Sequence, residues 1–153
     1  MLRREWIDET VTVGTSVETL RPLLWDIDGW PTWTPGLQAI RRRDRGAPFT
    51  VGTRFTMVLK PGIYLPCQLF VQEPGRLEWG GGVPGSVVRH SFELTPTGAQ
   101  TCQLRHLEYA TGVLAALAWP AERSIYAYDH RWTKTIVARF TGGAAAGGRS
   151  TAA

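Results

Sequence analysis

The stretch from Lys60 to Gly98 decides the fold of this chain, and it reads KPGIYLPCQLFVQEPGRLEWGGGVPGSVVRHSFELTPTG. Four turns divide or end it: Pro61-Gly62, Pro74-Gly75, Pro84-Gly85 and Pro96-Thr97-Gly98. Connections this short make neighbouring strands antiparallel, because a parallel crossover needs about a dozen residues or more. The stretch therefore predicts an antiparallel meander.

Strand patterns continue outward from this stretch in both directions. Segments bounded by turn residues predict six consecutive strands, over Leu37–Arg43, Gly52–Lys60, Ile63–Glu73, Arg76–Val83, Val87–Thr95 and Gln100–Thr111. A seventh strand is predicted at Trp6–Val13, where Ile7, Val11 and Val13 share one parity. The sequence therefore predicts a sheet of seven antiparallel strands.

A short helix is predicted after the first strand. Thr15 and Glu18 have the spacing of a capping box, with Thr15 as the N-cap. Apolar residues follow at helical spacing: Leu20, Leu23, Leu24 and Ile27. We expect this helix to end near Asp28-Gly29, and we expect the proline-rich residues 30–36 to form a turn or one distorted helical turn.

A long helix is predicted from Pro120 to about Phe140. Its apolar residues form one stripe: Ala118, Ala121, Ile125, Tyr128, Trp132, Ile136 and Phe140. Such a stripe packs on a sheet face, and seven strands have enough twist to curl around it. We therefore expect an α+β fold in which a curved seven-stranded antiparallel sheet wraps around the C-terminal helix. Short helices would follow strand 1, and sheet and helix would enclose an apolar pocket.

Length and composition indicate one globular domain. A chain of 153 residues has room for one ordinary domain, and 43% hydrophobic with 20% charged residues excludes disorder for most of it. We assign residues 1–141 to this domain and residues 142–153, rich in Gly and Ala, to a flexible tail. Cys67 and Cys102 do not make a disulfide framework. No signal peptide and no run of ~18 apolar residues is found, so we expect a cytoplasmic protein with no membrane span.

Several motifs that would indicate cofactors or nucleic acid are missing. The three histidines lack metal-ligand spacing, and there is no phosphate loop or GxGxxG motif. The arginines among residues 41–45 are interpreted as a solvated strand end, because no nucleic-acid-binding motif accompanies them. Gly80-Gly81-Gly82 is expected to let the sheet bend or a ligand approach closely. We therefore expect no metal, no cofactor and no nucleic acid, in a monomer or weak homodimer.

Residues across 5–140 carry a family resemblance. The segments concerned are Trp30-Pro31-Thr32-Trp33, Gly52-Thr53-Arg54-Phe55, Leu77-Glu78-Trp79-Gly80-Gly81, His90-Ser91-Phe92-Glu93-Leu94 and Thr101–Gly112. Together with the order of elements, they resemble the START-like, or SRPBCC, superfamily with its helix-grip fold, and most of all its polyketide cyclase/dehydrase branch. The resemblance implies a ligand pocket. It does not specify a reaction, because such families include aromatases, cyclases, lipid carriers, hormone receptors and chaperone cofactors.

The hairpin from Val87 to Thr111 is expected to carry ionisable side chains on its pocket face. A turn centred on Gly98 predicts four opposed pairs: Leu94 with Cys102, Phe92 with Leu104, His90 with His106, and Val88 with Glu108. Two imidazoles and a carboxylate partly removed from water could have pKa values near neutral pH, as general acid–base catalysis requires. The alternative is that these side chains only satisfy one another by hydrogen bonds.

Asp129 lies within the apolar stripe of the long helix, one turn from both Ile125 and Trp132. A buried carboxylate there needs a partner, because an unpaired buried charge is costly. His90, His106 or a pocket arginine could serve, and a fraying helix or a mouth position open to water are the alternatives. Glu122 shares the stripe, but it lies in the first turn, where the helix dipole favours an acid.

Three functions from different classes remain open. The first is a cofactor-free cyclase, aromatase or dehydratase for a conjugated carbonyl substrate, with His90, His106, Glu108 and Asp129 as proton donors and acceptors. The second is a non-catalytic carrier of a lipid-like molecule, and the third is an interaction module that presents an exposed apolar patch. In the first two, a hydrophobic small molecule would contact these wall residues: Trp30, Trp33, Tyr64, Trp79, Phe92, Leu104, Tyr126 and Trp132.

The histidine pair gives the sharpest expectation. His90 and His106 should lie side by side near Glu108 and Asp129, and at least one should have a pKa below that of an ordinary histidine. Because His106 is expected near the mouth of the pocket, replacing it by Ala should leave the fold intact.

Overall fold

Hydrogen bonding joins the predicted strands into one sheet. The computed structural model describes residues 2–141. Its strands are β1 (Arg3–Val13), β2 (Leu37–Arg41), β3 (Arg54–Leu59), β4 (Ile63–Glu73), β5 (Arg76–Val83), β6 (Ser86–Gly98) and β7 (Thr101–Thr111). Its α-helices are α1 (Val17–Trp25), α2 (Gly112–Leu117) and α3 (Glu122–Thr141), and 3-10 helices span Ile27–Thr32 and Trp119–Ala121.

The sheet has the predicted meander topology. Its strand order is β1-β7-β6-β5-β4-β3-β2, and every neighbouring pair is antiparallel. β1 lies at one edge, because it pairs with the last strand, and β2 lies at the other, so the sheet is not closed. The predicted seven-stranded α+β fold with a long C-terminal helix is confirmed.

Helix α1 begins one residue later than its sequence pattern indicated. Its N-cap is Ser16, whose hydroxyl accepts a hydrogen bond from the Thr19 backbone N–H at 3.3 Å. The predicted cap at Thr15 is therefore wrong, because the neighbouring hydroxyl has the capping geometry. Helix α1 ends at Trp25, before its predicted end near Asp28-Gly29, and the distorted helical turn predicted for residues 30–36 lies earlier, as the 3-10 helix Ile27–Thr32. Asp26 caps this 3-10 helix by accepting from the Gly29 N–H at 3.2 Å.

Helix α2 was not predicted. It follows β7 directly at Gly112, which has φ of +63° and whose added Cβ would lie 2.3 Å from the Gly85 carbonyl oxygen. Only glycine fits this turn, because both the positive φ and the close approach exclude a side chain. The 3-10 helix Trp119–Ala121 then separates α2 from α3. Residues 142–153, predicted to be a flexible tail, lie outside the described residues.

Helix α3 packs its predicted stripe on the sheet, although not over the whole stripe. The side chains of Asp129, Trp132, Thr133 and Ile136 are buried, whereas Ala121 is exposed. None of the helices within residues 2–141 has both the length and the apolar composition needed to cross a bilayer.

The β6–β7 hairpin turns at Ala99-Gln100 rather than at Gly98, with a register irregularity just before the turn. The predicted cross-strand pairs are therefore wrong by two residues. The observed pairs are His90 with Glu108, Phe92 with His106, Leu94 with Leu104, and Val88 with Ala110. A shift of two residues keeps every side chain on its predicted face, because side chains alternate with period two.

Candidate functional site

Three elements bring four titratable side chains together inside the protein. β6 supplies His90, β7 supplies His106 and Glu108, and α3 supplies Asp129. His90, His106 and Asp129 are 7%, 0% and 2% exposed, and one ligand atom from each lies within 4.8 Å of the others. The predicted grouping of these residues is thus what the structure contains.

The two imidazoles meet edge to edge through their Nε2 atoms, which are in direct hydrogen-bond contact. Their ring centroids are 4.6 Å apart and their planes differ by 15°. In face-to-face stacking, the atoms of the two rings would be further apart than a hydrogen-bond distance. The contact between the Nε2 atoms therefore means that the rings meet at their edges, with the two nitrogens pointing at each other. Because β6 and β7 pair His90 with Glu108, this contact runs diagonally across the hairpin.

One proton must lie between the two Nε2 atoms, because a hydrogen bond needs one donor and one acceptor. On its other side, the His106 Nδ1 atom lies 2.9 Å from the Thr133 hydroxyl, which can donate to the Asp129 backbone carbonyl at 3.5 Å. In this arrangement His106 donates Nδ1–H to Thr133, and His90 donates Nε2–H to His106. The alternative arrangement reverses each bond between the rings and the hydroxyl, so the chain can move a proton from one end to the other.

Burial keeps both imidazoles neutral. It lowers the pKa of His106 to about 3. Burial, and then the proximity of His106, hold the pKa of His90 well below its ordinary value. A neutral imidazole can accept a proton, so His90, the more exposed of the two, can act as a base. The expected position of His106 near a mouth is wrong, because its side chain lies in the interior and is 0% exposed. The expectation that His106→Ala leaves the fold intact rested on that position and stays untested.

The two carboxyl groups form a second pair beside the imidazoles. Burial raises the pKa of Glu108, against the effect of a hydrogen bond with Asp129. Burial and the neighbouring Glu108 raise the pKa of Asp129 well above its ordinary value. At least one of these two carboxyl groups is expected to stay protonated, because like charges disfavour double ionisation. The residue that acts most on the Asp129 carboxyl is thus Glu108, rather than the pocket arginine that was one of the expected partners.

Three buried polar atoms of α3 have no hydrogen-bond partner within the described residues: Tyr128 Oη, Asp129 Oδ2 and Trp132 Nε1. Burial raises the pKa of Tyr128 to about 12, so its hydroxyl is protonated and can donate. The Trp132 indole also donates. Unpaired buried donors cost about 1–3 kcal/mol each, which makes these atoms candidates to bind an oxygen of a ligand.

Most of the predicted wall residues form a packed core. Trp30, Trp79, Phe92, Leu104 and Trp132 are at most 1% exposed. Ring centroids of Trp30 lie 4.8 Å from Trp79 and 5.4 Å from Trp132. These aromatic rings occupy the space between α3 and the sheet, where the sequence predicted a pocket. Half-buried Trp33 packs on the rim of this cluster, 6.1 Å from Trp132.

The other two predicted wall residues lie on the surface. Tyr64 is 56% exposed on β4, under the Arg41 guanidinium at 5.4 Å. Tyr126 is 45% exposed and lines a groove of about 690 Å³ at the start of α3. The same groove is lined by Trp119 and by Trp6 of β1, which is buried against Ala110 and Ala115. Val88 and Ala110, which pair two residues along the strands from His90 and Glu108, belong to the same apolar cluster as Trp6.

Thr133 and Tyr128 were not identified as site residues from the sequence. A signal for Thr133 exists, because it is a polar residue one turn after Asp129 and on the same helix face. Tyr128 was placed in the apolar stripe, and its unpartnered hydroxyl could not be inferred from spacing.

The donor set His90, His106 and Asp129 has the composition of a metal site. Zn–N bonds are about 2.0–2.1 Å long. The distance between two nitrogens bound to one zinc ion is therefore longer than the distance between two nitrogens that share a proton. The direct contact between the Nε2 atoms fits a shared proton, and the imidazoles would have to separate to hold an ion.

A family model described as polyketide cyclase / dehydrase and lipid transport matches residues 6–146. The chain belongs to this family. No curated protein sequence matches this chain.

Solved structures share the fold of this family member at low identity. The hypothetical protein jhp0584 from Helicobacter pylori is 17% identical, with a TM-score of 0.69 over 87% of this chain and 86% of that one. The Zhui aromatase/cyclase from Streptomyces sp. R1128 is 14% identical, with a TM-score of 0.66 over 97% and 100%. A START superfamily protein from Mycobacterium smegmatis is 15% identical, with a TM-score of 0.62 over 89% and 97%. These likenesses show the helix-grip fold.

The histidine pair predicts a pH dependence that NMR can measure. Because burial lowers the pKa of His106 to about 3, its imidazole signals should not shift between pH 8 and pH 5, whereas in urea they should titrate near 6.5. The unfolded state binds protons first, so the histidines' contribution to stability is complete above about pH 6.5 and is lost as the pH falls toward 3. A His106 signal with a midpoint near 6.5 in the folded protein would contradict this assignment.

Proposed function

We propose that the protein catalyses ring closure or dehydration of a hydrophobic, conjugated carbonyl substrate without a cofactor. The observation that carries this proposal is the buried pair His90–His106, which is linked to Thr133 and lies beside the paired carboxyls of Glu108 and Asp129. A neutral base next to a protonated acid is the combination that aldol chemistry requires. The family description, which names cyclases and dehydrases, agrees with it.

In this mechanism His90 removes a proton from a carbon between two carbonyl groups. Such a C–H is acidic, so a weak base suffices, and His106 with Thr133 disperses the proton along the chain of hydrogen bonds. The resulting enolate carbon forms a bond to a second carbonyl carbon of the same substrate. The proton held by the Glu108–Asp129 pair goes to the new alkoxide. For dehydration, the carboxylate then takes the second proton of the same carbon, the protonated His90 gives its proton to the hydroxyl, and water leaves as the carbon–carbon double bond forms, so that each acid and base returns to its starting state.

The unpartnered donors of α3 would bind the oxygen on which negative charge develops. The Trp132 Nε1 and Tyr128 Oη atoms are buried, and the two residues lie one turn apart on α3. Donors fixed in place before the reaction stabilise an enolate more strongly than mobile water does. The substrate would approach through the groove lined by Trp6, Trp119 and Tyr126.

A carrier function for a lipid-like molecule is the second candidate. The family description includes lipid transport. The groove at the start of α3 exposes apolar surface, since Trp119 and Tyr126, which line it, are 63% and 45% exposed. In either case we propose a cytoplasmic monomer or weak homodimer that binds a hydrophobic small molecule and no nucleic acid.

One incubation distinguishes the two functions. A linear poly-β-ketone thioester is mixed with the protein, and the products are separated by chromatography and their masses are measured by mass spectrometry. We expect a cyclised product, with or without the loss of one water, at a rate above that with heat-denatured protein. If the substrate quenches tryptophan fluorescence, and all of it is afterwards recovered chemically unchanged, the result would instead favour the carrier function.

A further inference from the structure

Two sequence features play no part in the candidate site: the glycine run at residues 80–82 and the arginine-rich residues 41–45. The structure brings them together on the outer face of the sheet, opposite α3. There they line one groove of about 740 Å³, together with Arg54, Phe70 and Arg89. We call this the outer groove.

The strand register places one row of residues across the outer groove. Arg54 pairs with Gln68, Gln68 with Gly80, and Gly80 with Arg89. Trp79 and His90, the next pair along, point to the interior, so this row points outward by alternation. The outer groove is therefore on the other side of the sheet from the histidine pair.

Glycine forms the floor of the outer groove. A Cβ added at Gly80 would lie 2.0 Å from the Val88 carbonyl oxygen, and one at Gly82 would lie 2.4 Å from that of Ser86. Neither position can take a side chain, because the β6 backbone already fills that space, so β5 contributes only backbone to the outer groove here. A groove with backbone for its floor lets a ligand approach closely.

The charges that line the outer groove are all positive: Arg41, Arg42, Arg43, Arg54 and Arg89. Arg42 is committed to Asp28 at 2.5 Å, which leaves four guanidiniums. Arg89 lies 3.3 Å above the Phe70 ring, and its Nη1 is buried without a hydrogen-bond partner among residues 2–141. Its nearest carboxylate oxygen, on Glu78, is 3.8 Å from Nε, and Glu78 also contacts Arg76.

We propose that the outer groove binds a soluble organic diphosphate. Its volume is within the range of about 300–1,000 Å³ of small-molecule sites, and guanidiniums recognise phosphate oxygens with paired N–H donors. Four arginine charges favour a ligand with several negative charges over one with a single carboxylate. Stacking on the Phe70 ring holds the Arg89 guanidinium in one orientation, which lowers the entropy cost of binding a ligand.

Calorimetry with pyrophosphate at low salt tests this proposal. We expect saturable binding at a ratio of one, weakened by salt, and a loss of affinity of at least about tenfold in the double variant Arg54→Gln/Arg89→Gln. Arg139→Gln, an exposed position on α3, is the matched control and should bind like the wild type. NMR shifts should concentrate at the amides of Gly80 and Gly82.

Absence of binding to the wild type, or equal weakening in the Arg139→Gln variant, would overturn the proposal. Tighter binding of a short oligonucleotide or an acidic peptide than of pyrophosphate would overturn it as well. Pyrophosphate binding by His106→Asn should equal that of the wild type, so the outcome does not depend on the proposed catalytic function.

Discussion

Replacing His106 by Asn is expected to lower turnover of a cyclising substrate by about 10²–10⁴-fold, the usual size of an acid–base contribution. Asn retains a polar group near the position of Nδ1, which contacts Thr133 at 2.9 Å, and it lacks the Nε2 atom that meets His90. The proton between the imidazoles would lose its second site while the fold is preserved. His106→Ala is less informative, because a fully buried side chain would leave a cavity.

The measurement separates kcat from substrate affinity. Tryptophan quenching should show substrate binding close to that of the wild type, because the aromatic surfaces and the α3 donors remain. His130→Asn is the matched control: His130 contacts Glu9 at 3.0 Å and lies outside the cluster, so turnover should change by no more than a few-fold. Undiminished turnover in both His90→Asn and His106→Asn would rule out the proposed roles and favour the carrier.

Replacing Trp132 by Ala is expected to destabilise the protein by about 3–5 kcal/mol, the usual loss for a fully buried tryptophan. Trp132 is 0% exposed, and its ring lies 5.4 Å from Trp30 and 6.0 Å from Phe92. It joins the aromatic cluster to the histidine pair, so its loss removes contacts on both sides. Urea unfolding followed by circular dichroism measures the change.

Trp119→Ala provides the comparison for this substitution. Trp119 is 63% exposed, so its removal should change the free energy of unfolding by no more than about 0.5 kcal/mol. A loss below about 1 kcal/mol in Trp132→Ala would show that the interior is not packed around this ring. Such a result would indicate an open pocket between α3 and the sheet.

The pairing of residues in the β6–β7 hairpin shows what sequence patterns do not predict accurately, namely the exact register of two strands. The turn was placed at Gly98, a residue that favours turns, but the chain reverses at Ala99-Gln100. Turn composition alone leaves the register free by one or two residues. His90 and His106 still lie on the same face of the sheet, because a shift of two residues does not change the side to which a side chain points.

Local patterns in the sequence determined the seven strands, their antiparallel order, the apolar stripe of α3 and the face that carries the histidines, since alternation and short turns act within a few residues. Tertiary structure alone decided the diagonal contact between His90 and His106, the pairing of Glu108 with Asp129, the aromatic filling of the predicted pocket and the outer groove. These features depend on side-chain volume, burial and the distance between strands that are far apart in the chain. No spacing rule contains those quantities, because close packing is a property of all the contacting side chains together.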